Sequence, residues 1–290
     1  MTGTYAYKTV DGHEVLADVH RPQGDGLHPV VLWIHGGALI AGHREEILPK
    51  HREAYLAAGY AVVCIDYRLA PETKLPQIVE DVRDAFAWVR EQGPRLFGAD
   101  PDRIAAVGHS GGGYLALMAG VVVQPRLRAI VSFYGYGDII GDWYRLPDPC
   151  YRRQPLVTEA EARAVVGSAP VCSHAGWEDR RPFYLYCRQQ GLWPKEVAGF
   201  DPETDREAFT PFCPVRNITP DYPPILLLHG DQDTDVPYQQ SVLMAEALSR
   251  AGVPHELITL PNGPHGFDEG DTPAANAAFE RVLVFLRECF

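Results

Sequence analysis

Ser110 stands in Gly108-His109-Ser110-Gly111-Gly112, entered from the apolar run Ile104-Ala105-Ala106-Val107 and followed by the helix-compatible Tyr114-Leu115-Ala116-Leu117-Met118. A serine on a strand-to-helix turn is a candidate nucleophile. Such a turn strains the nucleophile's backbone, and small neighbours keep side chains off the adjoining strands and admit substrate. The hydroxyl then needs a base, a carboxylate to orient that base, and backbone donors for a developing oxyanion. Each has a candidate in the chain order acid then histidine. His229-Gly230-Asp231-Gln232-Asp233 closes the apolar run Ile225-Leu226-Leu227-Leu228, and Gly263-Pro264-His265-Gly266-Phe267 follows His255-Glu256-Leu257-Ile258-Thr259-Leu260. Upstream, Pro29-Val30-Val31-Leu32-Trp33-Ile34 runs into His35-Gly36-Gly37-Ala38, a loop whose amides can face a bound carbonyl.

These elements imply strands near residues 15–20, 29–35, 60–66, 104–109, 127–133, 224–229 and 255–260, separated by helical patterns. Strand and helix in alternation predict a mostly parallel sheet with helices on both faces. Val79, Val82, Ala85, Phe86 and Val89, interleaved with Glu80, Asp81 and Arg83, mark one amphipathic helix; Ala278, Val282, Phe285 and Leu286 mark another over about 273–289. Some eighty residues between Tyr136 and Arg216 replace a short crossover. Thr158-Glu159-Ala160-Glu161 reads there as a capping box with Gly167 as the stop, and Pro182 and Gly191 bracket a second helix. The expected organisation is a core of residues 1–135 and 217–290 with a lid insertion over 136–216. The insertion holds Trp143, Trp177 and Trp193 with Tyr136, Tyr144, Tyr151, Phe183, Tyr184 and Tyr186. Either these rings form the lid's own core or several line a substrate cavity; the expected lining is Trp143, Tyr144, Trp177 and Tyr184, with Leu39 and His109 from the core. Leu39 and Ile40 beside the glycine loop would favour short acyl groups.

The chain resembles the α/β-hydrolase superfamily, in the esterase branch related to hormone-sensitive lipase, feruloyl and acetylxylan esterases and prolyl-oligopeptidase catalytic domains. The residues that carry the likeness are His35-Gly36-Gly37, Asp66-Tyr67-Arg68-Leu69-Ala70-Pro71-Glu72, the turn at Ser110, the loop from His229 to Pro237, and His265-Gly266-Phe267. The resemblance implies the α/β-hydrolase fold, with Ser110 as nucleophile, Asp233 as orienting acid and His265 as base. It also implies oxyanion donors at the amides of Gly37, Ala38 and Gly111. Asp233 holds the acid position of the His-Gly-x-x-Asp-x-x-Val-Pro pattern, with Asp231 as the alternative. Two positions depart from hormone-sensitive-lipase relatives: Ala38 replaces a third glycine, and His109-Ser110-Gly111 replaces Asp-Ser-Ala.

The implied activity is a carboxylesterase for small to medium uncharged esters, acting through an acyl-enzyme. The alternatives are a peptidase or amidase of the prolyl-oligopeptidase type, for which the chain lacks the length of a propeller, and a non-catalytic ligand receptor on the same scaffold. No cofactor or metal is expected. Asp231, Asp233 and Asp235 alternate like the start of a calcium loop, but Val236 and Val242 stand where that loop needs Gly and Glu.

With 46% hydrophobic and 22% charged residues, 290 positions can bury one large core. A net charge of -12 opposes nucleic acid and anionic membrane as partners. The N-terminal residues lack a basic region followed by an apolar one, which predicts a cytoplasmic location, and a homodimer is compatible with the sequence. Cys64 and Cys289 read as small buried hydrophobes, whereas Cys150, Cys172, Cys187 and Cys213 could remain free or pair in an oxidising compartment.

Overall fold

A computed structural model describes residues 2–172 and 175–290. Eight strands form one sheet: β1 (Thr2–Val10), β2 (His13–His20), β3 (His28–Ile34), β4 (Ala61–Ile65), β5 (Ala99–His109), β6 (Ala129–Phe133), β7 (Ile225–Gly230) and β8 (His255–Leu260). Their spatial order is β1-β2-β4-β3-β5-β6-β7-β8. The β1·β2 and β2·β4 pairs are antiparallel and every other pair is parallel. Strand β1 was not among the expected elements.

Parallel strands covered on both faces must be apolar at consecutive positions, and β3 and β7 are buried almost throughout. One face, with Val31, Trp33, Val62, Val107, Val131 and Leu226, packs on Tyr55 of α1 (Pro49–Ala57) and on Phe279, Val282 and Leu286 of the last helix. The opposite face, with Val30, Leu32, Ile34, Val63, Ala106 and Leu227, receives α2 (Leu75–Phe97) and α3 (Gly111–Val122). The amphipathic pattern around residues 79–89 is the middle of α2, which starts with proline in its first turn and ends at Gly98 in the left-handed region.

The segment between β6 and β7 carries α4 (Asp142–Arg145), α5 (Glu159–Ala164), α6 (Trp177–Gln190) and α7 (Trp193–Ala198). Helix α5 begins with the expected capping box, Thr158 Oγ1 accepting from the Glu161 amide while the Glu161 carboxylate accepts from that of Thr158. It ends at Ala164, before Gly167. Gly191 caps α6 as expected, but the helix starts five residues before Pro182 and contains it. The chain closes with α8 (Gln239–Ala251), β8 and α9 (Pro273–Cys289), the last capped by Thr272. All six cysteines are free; Cys64, Cys172, Cys187 and Cys213 are buried. Among the described residues no helix is long and apolar enough to cross a membrane.

Candidate active site

Strand β5 ends at His109, and the chain turns directly into α3 at Ser110, whose φ of 54° and ψ of -119° lie outside the regions a non-glycine residue ordinarily occupies. Strain of this kind costs on the order of 1–3 kcal/mol and persists only where the surroundings impose it. Here the Ser110 amide donates to the Phe133 carbonyl (2.9 Å) and its carbonyl accepts from Tyr114 (3.0 Å). Gly112 makes the turn feasible, because a Cβ there would lie 2.1 Å from the Ile34 carbonyl oxygen.

The turn presents Ser110 Oγ 3.0 Å from His265 Nε2, and His265 Nδ1 lies 2.7 Å from Asp233 Oδ2. The Asp233 side chain is fully enclosed. Its Oδ1 accepts from the Asp235 and Val236 amides, both at 2.9 Å. Its Oδ2 also lies 3.2 Å from His229 Nε2, which must carry a proton because the Val236 carbonyl, 3.0 Å away, can only accept. Burial opposes ionisation of Asp233, but the hydrogen bonds from His229 and His265 and their charge hold its carboxyl well below the usual carboxylate range. Burial also tends to lower the pKa of His265; the Asp233 hydrogen bond and the charges of Asp235, Asp233 and Asp268 outweigh it, so the imidazole titrates above its ordinary value. Hydroxyl, imidazole and ionised carboxylate in this relay can generate an alkoxide nucleophile. Asp231 is not part of it: its carboxylate accepts from the Asn262 amide.

The loop after β3 supplies donors. Gly36 O accepts from Tyr67 Oη (3.0 Å) and faces His35 Nδ1 (2.9 Å), and Gly37 O accepts from the Ile40 and Ala41 amides (2.9 Å each). In a trans peptide the N–H points opposite the preceding C=O, so the Gly37 and Ala38 amides are turned away from those partners. A Cβ placed on Gly111 would lie 3.0 Å from Ala38 N, which brings the loop against the start of α3, where the Gly111 amide has no intrahelical acceptor. Among the described residues, no hydrogen bond is donated by these three amides. Gly37 itself is required: its φ is +88°, and a Cβ would lie 2.0 Å from the Ala41 carbonyl oxygen.

A cavity of about 480 Å³ opens on these groups. Of the expected lining residues, His109 and Trp177 are on its wall; Leu39, Trp143, Tyr144 and Tyr184 are not. Leu39 is fully buried in the core. Trp143, Tyr144 and Trp193 stack in series, with centroids 3.9 Å apart at each step, and Arg188 lies over Trp143, Tyr144 and Tyr184. These rings pack into the core on the α2 and α3 face of the sheet, with Trp143 partly buried against it, and stacking on one another and on a buried guanidinium satisfies them away from the cavity.

Wall residues outside the expected set include Trp33, Glu46, Tyr134, Asp235, Asp268 and Glu269. Asp268, buried, accepts from Tyr134 Oη (2.7 Å) and faces His109 Nε2 at 3.0 Å and His51 Nδ1 at 3.8 Å. Burial tends to raise its pKa, but the His109 charge and hydrogen bond and the Tyr134 hydroxyl pull it to about 2. His51, His109 and Asp268 converge closely enough to hold a metal. The chemistry of the donors opposes it: Trp33 Nε1–H donates to His109 Nδ1 (3.1 Å), so the Nε2 that faces Asp268 is the protonated nitrogen and offers no lone pair to an ion. The only signal for Asp268 in the sequence is its place three residues after His265.

The sequence matches the BD-FAE family over residues 17–248 and the dienelactone hydrolase family over residues 207–290. It is 28% identical to Esterase LipC of Mycobacterium tuberculosis over 90% of this chain and 58% of that protein. It is 30% identical to the non-reducing polyketide synthase ausA of Aspergillus calidoustus over 92% of this chain, which spans only 13% of that protein. An α/β hydrolase superfamily protein from Enterococcus faecalis has the same fold, with a TM-score of 0.76, 21% identity and 99% of each chain covered. Sheet order, the serine turn and these matches agree: the chain belongs to the BD-FAE family of esterase-like α/β hydrolases.

Proposed function

We propose that this protein is a serine carboxylesterase that cleaves small to medium carboxylic esters by two-step acyl transfer. The observation that carries the reading is the continuous relay Ser110 Oγ, His265 Nε2, His265 Nδ1, Asp233 Oδ2, set beside unbonded amides of Gly37, Ala38 and Gly111. The relatedness to LipC, named an esterase, supports it. His265 takes the Ser110 proton as the oxygen attacks the ester carbonyl, and Asp233 fixes the tautomer and stabilises the imidazolium. The Gly37, Ala38 and Gly111 amides receive the oxyanion, each such donor being worth about 3 kcal/mol of barrier. His265 then protonates the departing alcohol, and water repeats the path to release the acid.

The segment over residues 136–216 acts as a lid that closes the cavity with Trp177. It is fastened at its base by Arg180, whose guanidinium donates to both carboxylate oxygens of Glu72 (3.0 and 2.7 Å), with neither side chain more than 5% exposed.

The test is hydrolysis of p-nitrophenyl esters from acetate to decanoate by the wild type and by Ser110→Ala. Turnover reduced by several orders of magnitude in the folded variant is expected. Activity retained by Ser110→Ala in a clean preparation refutes the assignment, and turnover of anilides in preference to esters moves the reading to an amidase.

A further inference from the structure

We infer that the cavity selects esters whose leaving alcohol carries a positive charge, and that Asp235 is the residue that recognises it. The inference rests on the esterase reading and replaces the uncharged esters expected from sequence with cationic ones.

His265 Nε2 must protonate the leaving oxygen, so that oxygen comes within hydrogen-bond reach of Nε2. Asp235 Oδ2 lies 3.6 Å from the same nitrogen, which puts it beside the leaving group. The two oxygens of Asp235 face different surroundings. Oδ1 accepts from Tyr151 Oη (2.8 Å), Tyr184 Oη and Arg188 Nη1 (2.6 Å), all from the insertion. These bonds fix the carboxylate while Oδ2 faces the cavity, and the side chain remains 19% exposed. Arg188 does not neutralise it, because the same guanidinium also pairs with Asp148 (2.6 Å), leaving one net negative charge on the three groups.

The rest of the wall agrees. Glu46, Asp268 and Glu269 line the cavity with Asp235, and among the described residues no Lys or Arg does. Trp177, also on the wall, is placed against Tyr184 (centroids 5.0 Å apart), the side chain that bonds Asp235. An indole ring on the same wall as a fixed carboxylate suits an alkylammonium, which gains from both. An anionic alcohol would meet only like charge.

The experiment compares acetylcholine with 3,3-dimethylbutyl acetate, which has the same shape without the charge. The wild type is expected to favour the cationic ester by tenfold or more in kcat/KM, mostly through KM, as a charge a few ångströms from a half-buried carboxylate should give. Asp235→Asn should bring the ratio near one, and Trp177→Leu should lower it severalfold. The ratio is internal to each preparation, so misfolding removes both rates without mimicking the effect; if Asp235→Asn does not fold, the wild-type and Trp177→Leu ratios decide. Equal rates or a neutral preference in the wild type, a preference unchanged by both substitutions, or turnover of p-nitrophenyl acetate but of neither ester overturns the inference. Absence of any serine-dependent ester hydrolysis would instead remove the esterase reading.

Discussion

Asp233→Asn is expected to abolish turnover with little loss of structure, because the geometry dictates which way the amide must sit. Oδ1 faces the Asp235 and Val236 amides, which only donate, so the asparagine oxygen takes that position. The NH2 then faces His265 Nδ1 and donates to it. The imidazole proton is driven to Nε2, which points at Ser110 Oγ and no longer has a lone pair with which to take the serine proton. Loss of a triad base through the wrong tautomer lowers kcat by about 10,000-fold, which is about 5.5 kcal/mol of barrier at roughly 1.4 kcal/mol per decade. The same NH2 meets His229 Nε2–H, and that donor–donor conflict should cost about 1–3 kcal/mol of stability. The assay is kcat for p-nitrophenyl acetate beside the urea midpoint of each variant, with Asp231→Asn as the control. More than a tenth of wild-type kcat in Asp233→Asn, or an equal loss in Asp231→Asn, would refute the reasoning.

The acid limb of kcat/KM should lie above pH 6.5, because His265 must be neutral to act as base and its carboxylate neighbours hold its pKa above the ordinary value; a limb below pH 6 contradicts the geometry. Asp235→Asn removes one of those charges and should move the limb down. Glu72→Gln leaves the buried Arg180 without its counter-charge and should cost about 3–5 kcal/mol, read as a lower urea midpoint together with a shift in tryptophan emission as α6 loosens around Trp177. A loss under 1 kcal/mol would mean that the pair does not fasten the insertion.

The parts of the molecule legible in the sequence are those whose environment is uniform. Strands β3, β4, β6 and β7 and the second half of β5 are buried on both faces and write themselves as apolar runs, whereas the first half of β5, Ala99 to Arg103, is polar and partly exposed and carries no such signal. Strand β1 is an edge strand, with Tyr7 its one buried side chain among the residues with described burial, and its mixture of Thr, Tyr, Lys and Ala carries no such run. Pro182 reads as a first-turn residue, which shortens the helix expected from sequence; α6 in fact begins at Trp177 and carries the proline inside it. The convergence of Ser110, Asp233 and His265 was legible because each sits just past a strand in an order that brings them to one edge of the sheet. Asp268 was not, since its partners Tyr134, His109 and His51 come from three separate elements and meet only in the fold.

The aromatic residues of the insertion show why substrate preference is harder to read than mechanism. Composition says that Trp143, Tyr144, Trp177, Tyr184 and Trp193 belong together, but not which of them faces inward. The structure divides them by hydrogen bonding. Trp193 donates from Nε1 to the Ala38 carbonyl (3.0 Å), so it holds the glycine loop from behind. Tyr184 and Arg188 hold Asp235 beside His265. Neither needs to reach the cavity to affect it, because one acts on the loop that carries the Gly37 and Ala38 amides and the other on the wall beside His265. The insertion is thus bonded to the glycine loop through Trp193, to the acid loop through Arg188 and to the segment after β4 through Arg180. A change in its sequence can therefore alter the shape and charge of the cavity while Ser110, His265 and Asp233 stay as they are. Substrate preference in this chain should follow residues 136–216 more closely than it follows the relay.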